Sequence, residues 1–308
     1  MQGNKVQLMK ISVVIPTYRS SGFIRETLES VHQSARDHDY EVILVDDCSD
    51  DIETLASIVA DSPNTILVRK ESKSNAAVSR NIGIDRASGS HIFLLDSDDH
   101  FTSGYVSERL EFMRQGQYDF CFGAYTDVSI DGERDFIEKP DVRDPRHYLF
   151  MEDKDIRTST ISFLAERKQI FRFNESLNKH QDWGFFIDTA EHSRSWGYDP
   201  VPGVRLNCDR DGRMSGSMNM EASKVFMNKY LVDPKHVSGF AKRHFVLAAL
   251  LKDHGAYRFF SDRIMPELLK PKFKTIKLAG DTLDKIGLFF LLPHLLGTYK
   301  AIARLKKS

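Results

Sequence analysis

Residues 91–99 read His-Ile-Phe-Leu-Leu-Asp-Ser-Asp-Asp. An apolar run this short has the length of a strand. Without polar alternation it suits a strand covered on both faces, as in a parallel sheet. It then breaks abruptly into acids. The same design recurs upstream: Ile11-Ser-Val-Val-Ile15 runs into Pro16-Thr17-Tyr18, and Glu41-Val-Ile-Leu-Val45 runs into Asp46-Asp47. Thr65-Ile-Leu-Val68 and Tyr118–Ala124 read as two further strands. Helical stripes fall between them: Ile24, Leu28 and Val31 after a Ser20 or Ser21 cap, then Ile52, Leu55, Ile58 and Val59, then Ala76–Ala87 stopped by Gly89, then Val106, Leu110 and Met113. The alternation predicts an α/β, Rossmann-like fold, a mainly parallel central sheet flanked by helices and joined by right-handed crossovers. Ligands of open α/β sheets bind outside the carboxyl ends of the strands. The three polar tips therefore share one rim, and that rim is the candidate site.

Downstream the pattern loosens. Residues 126–165 read as irregular, with turns at Asp131-Gly132 and between Pro140 and Pro145, and a strand expected over Ile156–Leu164. Asp182–Ser195 reads as a helix with Trp183, Phe186, Ile187 and Ala190 on one face. From about Met220 the chain turns helical, around Val225 and Tyr230, over Phe240–Leu251 and over Ile264–Leu269.

Composition narrows the class. The 308 residues are 41% hydrophobic and 28% charged, which excludes a disordered, collagenous or multi-span membrane chain. Lys and Arg number 43 against 44 Asp and Glu, so no overall charge favours nucleic acid. The three cysteines, Cys48, Cys121 and Cys208, are far apart and read as reduced thiols in the cytosol. The first residues lack the pattern of a signal peptide. The longest apolar run, Ile286–Leu296, is interrupted by Pro293 and falls short of the ~20 residues that span a bilayer.

Several chemistries are excluded by motif. No G-x-G-x-x-G follows the first strand, and no P-loop, G-x-S-x-G or H-E-x-x-H is present. Asp96-Ser97-Asp98 stands out instead, because alternate carboxylates at a strand end offer hard oxygen ligands to Mg²⁺ or Mn²⁺. With Val-Val-Ile-Pro-Thr-Tyr (13–18), Val-Asp-Asp-Cys-Ser-Asp-Asp (45–51), Ser-Arg-Asn-Ile-Gly-Ile (79–84), Ala-Ser-Gly-Ser-His-Ile-Phe-Leu-Leu-Asp-Ser-Asp-Asp (87–99) and Gln-Asp-Trp (181–183), the chain resembles family 2 glycosyltransferases of the GT-A fold, over roughly residues 10–215.

The resemblance implies an inverting, metal-dependent transfer of a sugar from a nucleotide-sugar, UDP favoured, to a hydroxyl of a glycan or lipid-linked acceptor in surface polysaccharide biosynthesis. It implies that Pro16, Thr17 and Tyr18 form the first nucleotide loop, with Tyr18 against base or ribose. Asp47, or Asp46 as second choice, would accept from the base. Arg80 would reach the base or diphosphate, Asp96 the ribose, with Ser97 counted beside it. Asp98 would hold the metal, Mn²⁺ or Mg²⁺, with Asp99 as a substitute. Asp182 would be the catalytic base, kept ionised by its helix N-terminus. Two departures stand out. The family usually has Glu-Asp where this chain has Gln181-Asp182. No His lies in Asn207–Ser215, so Arg210, Arg213 and Ser215 are left to hold the diphosphate. The implied domains are a catalytic domain over 1–219, with a nucleotide half (1–125) and an acceptor half (126–219), and a helical region over 220–308.

Plainer readings accompany each residue. Asp46 and Asp47 can cap a turn, Arg80 can be a solvated helix charge, and Asp182 can be a cap beside a core Trp183. Arg210 and Arg213 can be loop charges, and His180 reads as an acceptor-site or surface residue rather than a metal ligand. A sugar-nucleotide pyrophosphorylase would want more glycine in Pro16–Gly22, and an inactive sugar-nucleotide-binding scaffold is the non-enzymatic alternative. Residues 283–308 join an apolar stretch to Lys300, Arg304, Lys306 and Lys307. From residue 267 onward nine Lys/Arg face three acids. That points to peripheral contact with an anionic membrane, at the inner face of the cytoplasmic membrane, or to packing on the protein or in an oligomer.

Overall fold

In the computed structural model the described residues are 10–138, 144–209 and 218–296. The chain forms two compact units, Met1–Pro145 with Asp155–Arg213, and Arg146–Lys154 with Met214–Ser308.

The first unit opens with β1 (Ile11–Thr17), α1 (Ile24–Ala35), β2 (Tyr40–Asp46), α2 (Ile52–Ala60), β3 (Thr65–Arg69), α3 (Ala76–Arg86) and β4 (His91–Leu94). There follow β5 (His100–Phe101), α4 (Tyr105–Gly116), β6 (Phe120–Gly123), β7 (Tyr125–Ser129) and β8 (Gly132–Phe136). Then come a helix of the second unit, α5 (Pro145–Phe150), and, back in the first, β9 (Ser162–Leu164), α6 (Gln181–His192), β10 (Trp196–Asp199) and β11 (Val204–Asn207).

Seven strands make the main sheet in the order β10-β6-β9-β4-β1-β2-β3. Its β4-β1-β2-β3 half is parallel throughout, as the alternation predicts. β9 alone runs antiparallel to both neighbours, so the sheet is mixed but mainly parallel. Alternate residues explain the burial on both faces. Ile11, Val13, Ile15, Val42, Leu44 and Phe93 pack with Ile24, Leu28, Leu55, Val106 and Leu110 of the helices, all 8% exposed or less. On the opposite face Gly83 of α3 comes so close to β1 that a Cβ there would lie 2.3 Å from Val14 Cγ1.

Several sequence expectations are corrected. Residues 126–165 are not irregular: β7 and β8 form a hairpin through Asp131-Gly132, and with β5 and β11 they make a second, four-stranded sheet. Gly132 has φ +117, a conformation glycine adopts readily. β8 is mostly exposed, so it carries no apolar alternation to read. The strand expected over 156–164 is only Ser162–Leu164, because Thr158–Thr160 forms a 3₁₀ turn, with the Thr160 hydroxyl donating to Arg157 O at 2.8 Å. Neither serine side chain caps α1; Phe23 is its N-cap and Ser20 supplies a backbone carbonyl.

The second unit is helical. It holds α5 with α7 (Met220–Tyr230), α8 (Pro234–Leu250), α9 (His254–Ser261) and α10 (Pro271–Lys285). Asn219, Asp233 and Asp253 cap α7, α8 and α9 by accepting from backbone N–H groups. Ile264–Leu269 is not an α-helix: Pro266 opens a 3₁₀ turn ending at Leu268. Among the described residues no helix is long and apolar enough to cross a membrane.

Candidate active site

The tips of β1, β2, β3 and β4 lie side by side. Asp47 N donates to Thr17 O at 2.9 Å, and Lys70 N donates to Asp46 O at 3.0 Å. Tyr18 emerges 37% exposed, with Lys73 Nζ 3.7 Å from its ring centroid. Pro16 is half-buried, and the Thr17 hydroxyl is buried without a partner. Thr17 thus contributes its backbone to the rim rather than its side chain.

The two acids after β2 differ. Asp46 is fully buried, and both its oxygens accept from Ser49, one from the backbone N–H at 3.0 Å and one from the hydroxyl. It anchors the turn, with both oxygens engaged by Ser49. Asp47 Oδ1 accepts from Lys70 Nζ at 2.6 Å and from Ser74 N at 2.8 Å. Lys70 also reaches the hydroxyls of Ser74 and Ser79. Sequence reasoning missed Lys70. The only signal was its place directly after the third strand.

Arg80 is not a solvated helix charge. It is buried on α3, 5.1 Å from the Phe173 ring centroid. One nitrogen donates to Asp96 Oδ1 at 2.6 Å and another to Gln181 Oε1 at 3.1 Å. Asn81 fixes this reach. Its amide exchanges two hydrogen bonds with the Phe173 backbone, both 2.9 Å, tying α3 to the segment that leads into α6.

After β4 the acids take separate parts. Asp96 N donates to Ser159 Oγ at 3.0 Å, and Ser97 O accepts from Thr27 at 2.9 Å. Asp98 is half-buried. Asp99 is drawn inward, with its oxygens accepting from Ser159 Oγ at 2.5 Å and Asn207 N at 3.2 Å. Burial, and then the charges of Asp96 and Asp98, push its carboxyl up to about 8. Asp99 therefore joins the Ser159 turn to β11, with both of its oxygens engaged in that link. Among the described residues no group of three or more His, Cys, Asp or Glu side chains is arranged to hold a metal. Arg210 and Arg213 lie outside the described residues.

Across the rim stands Asp182, in the first turn of α6, with Oδ1 accepting from Trp183 N at 2.9 Å. Burial outweighs the helix N-terminus and, with the nearby Asp155 charge, raises its carboxyl to about 6; Arg157 and Arg80 pull the other way. A carboxyl at about 6 is still mostly ionised at neutral pH. His180 is buried, not on the surface, and has φ 62. Arg157 and Asp155, 3.2 Å apart, escaped the sequence reading because their stretch carries no periodicity.

Arg80 thus connects the tip of β4 to the residue beside Asp182, which puts both acidic ends of the rim around one guanidinium. The model of the family described as glycosyl transferase family 2 matches residues 12–176, spanning these tips. The chain belongs to that family. Among its relatives, the amylovoran biosynthesis glycosyltransferase AmsB of Erwinia amylovora is 34% identical over 191 residues, 58% of this chain and 63% of its own length. The putative teichuronic acid biosynthesis glycosyltransferase TuaG of Bacillus subtilis is 35% identical over 124 residues, 40% of this chain and 49% of its own length. This family 2 chain thus spans less than two thirds of either relative. The crystal structure of S. aureus TarS 1-349 in complex with UDP-GlcNAc superposes with a TM-score of 0.66 at 18% identity, covering 94% of this chain and 92% of that one. That likeness shows the GT-A fold.

Proposed function

We propose that this chain is an inverting glycosyltransferase that moves a sugar from a UDP-sugar to a hydroxyl of a glycan or lipid-linked acceptor in surface polysaccharide biosynthesis. The observation that carries the reading is the Arg80 bridge between Asp96 and Gln181. It ties the tip of β4 to the residue beside the Asp182 carboxylate. Relatives with such names, and a structural neighbour holding UDP-GlcNAc, support the substrate class.

In this reading Tyr18 packs against the base or ribose, Asp47 accepts from the uracil N–H, and Asp96 faces the ribose with Ser97 beside it. Arg80 faces the diphosphate, as would Arg210 and Arg213. The donor set fits a hard divalent cation. Asp98 remains at the rim while Asp99 is engaged, and one or two carboxylates suffice where a diphosphate completes the shell of Mg²⁺ or Mn²⁺. When bound, the cation would neutralise charge gathering on the leaving diphosphate. Asp182 takes the proton of the acceptor hydroxyl as its oxygen bonds to the anomeric carbon. The bond from that carbon to the phosphate oxygen breaks, UDP leaves, and attack from the far side inverts the centre.

The test is kinetic. In a UDP-sugar panel with Mn²⁺, one donor should raise the melting temperature by mass action. With that donor, transfer should rise with pH through about 6, where Asp182 loses its proton, and then level off. Asp182→Asn should slow transfer by ~10²–10⁴-fold and leave UDP affinity near its parent value. Near-normal transfer by that variant would remove Asp182 from the mechanism.

A further inference from the structure

The reaction as described makes no use of the indole next to the base. Trp183 is half-buried, neither closed into the core nor loose on the surface. Its Nε1–H donates to Asp155 Oδ1 at 2.8 Å, and Asp155 Oδ2 lies 3.2 Å from Arg157 Nη2. The His180 ring lies parallel to it, 5.0 Å between centroids and 15° between planes. His180 holds a left-handed backbone, costly for a residue with a Cβ, and that conformation belongs to the turn presenting this stack. The indole is thus clamped at its nitrogen and along one ring face, and its own backbone N–H bonds the Asp182 carboxylate.

A buried indole N–H commonly finds an acceptor, but this ring is held along one face as well while only half-buried, and a binding surface gains from being held in that way. Fixing a side chain before the ligand arrives removes an ordering cost from binding. A pyranose ring is amphipathic. Its C–H face packs on an aromatic face, while its hydroxyls point outward to polar partners. An acceptor hydroxyl at Asp182 brings the ring that carries it within reach of the next side chain along the chain. We propose that Trp183 is the platform on which the acceptor stacks, and that the acceptor presents a pyranose ring rather than an open polyol. This rests on Asp182 being the base. Asp155, Arg157 and His180 are positioning residues that hold the indole.

The experiment compares Trp183→Phe, Trp183→Leu and Asp155→Asn in the full chain. The donor is the one that gives the largest thermal shift, and the acceptor probes are para-nitrophenyl pyranosides and ribitol 5-phosphate. Transfer to a pyranoside is expected, not to ribitol phosphate. Trp183→Leu should raise the pyranoside KM at least tenfold with the donor KM within twofold. Trp183→Phe, which keeps a ring but loses the N–H anchor, should fall between Leu and the parent. Asp155→Asn should raise the pyranoside KM severalfold. Equal pyranoside KM values for the Leu and Phe variants would show that bulk alone matters and would overturn the platform, as would preferred transfer to ribitol phosphate. Failure of the base assignment shows separately, as transfer retained by Asp182→Asn.

Discussion

Lys70 and Asp47 form an ion pair with side chains only 6% and 10% exposed. Removing the lysine leaves a carboxylate nearly out of water beside the Ser74 N–H alone, and breaking such a pair costs about 3–5 kcal/mol. Lys70→Met should therefore lower the unfolding free energy in urea by that order and weaken UDP binding. A loss below about 1 kcal/mol would mean water already serves Asp47. At this scale the legible residues were those that follow apolar runs. Asp47, Asp96, Asp98 and Tyr18 stand at strand ends, where a polar residue has to be explained. Asp155 and Lys70 could not be found that way, since their roles depend on partners 28 and 23 positions away. The resemblance ranked Asp47 before Asp46 and Asp98 before Asp99, but no pattern in the chain gives a physical reason for either order. Which of two adjacent acids turns inward depends on Ser49 and on Ser159, and neither contact leaves a pattern in the chain.

The helix α3 links packing to the site. Gly83 lets it lie against β1, and Arg80 stands three positions earlier on the same helix. Gly83→Ala puts a methyl group into Val14, an overpacking that costs about 1–3 kcal/mol. We expect a lower denaturation midpoint and, because a displaced helix carries Arg80 away from Asp96 and Gln181, weaker donor binding in a calorimetric titration. Unchanged affinity would show that α3 absorbs the methyl by a local shift of Val14. Elements with a continuous apolar run or a wide apolar stripe were legible to within a residue or two: β1–β4, α2 and α3; α1 and α6 were found, but the cap of α1 and the end of α6, at His192 rather than Ser195, were not. The β7–β8 hairpin and α5 were not, and β9, the antiparallel strand of the main sheet, was read from Ile156 rather than Ser162. Their burial is set by partners distant in sequence, and a three-residue strand carries almost no period.

The family 2 match ends at residue 176, before helices α7–α10 of the second unit, which carry a surface of their own. There Leu278, Ile286, Phe290 and Leu295 are each more than half exposed, with Lys270, Lys272, Lys274 and Lys285 exposed among them. Apolar side chains beside lysines suit an anionic bilayer interface. The protein should sediment with phosphatidylserine-rich vesicles and less so in high salt, and Ile286→Ser with Phe290→Ser should abolish that binding while UDP affinity holds. Equal sedimentation of the variant would point to another cover for the patch. Point substitutions leave the packing of this segment in place: Phe289, Leu292 and Leu296 are buried, and Phe289 packs 4.9 Å from Tyr257 between centroids.

An amide at position 181, where the family usually carries a glutamate, changes the charge count around Arg80. The guanidinium bonds one formal anion, Asp96, and one neutral oxygen. The floor between β4 and α6 consequently carries one negative charge fewer than a glutamate at 181 would give it. In the proposed reaction an incoming diphosphate therefore meets less repulsion beside Arg80 than it would with a glutamate there, and the difference narrows as ionic strength rises.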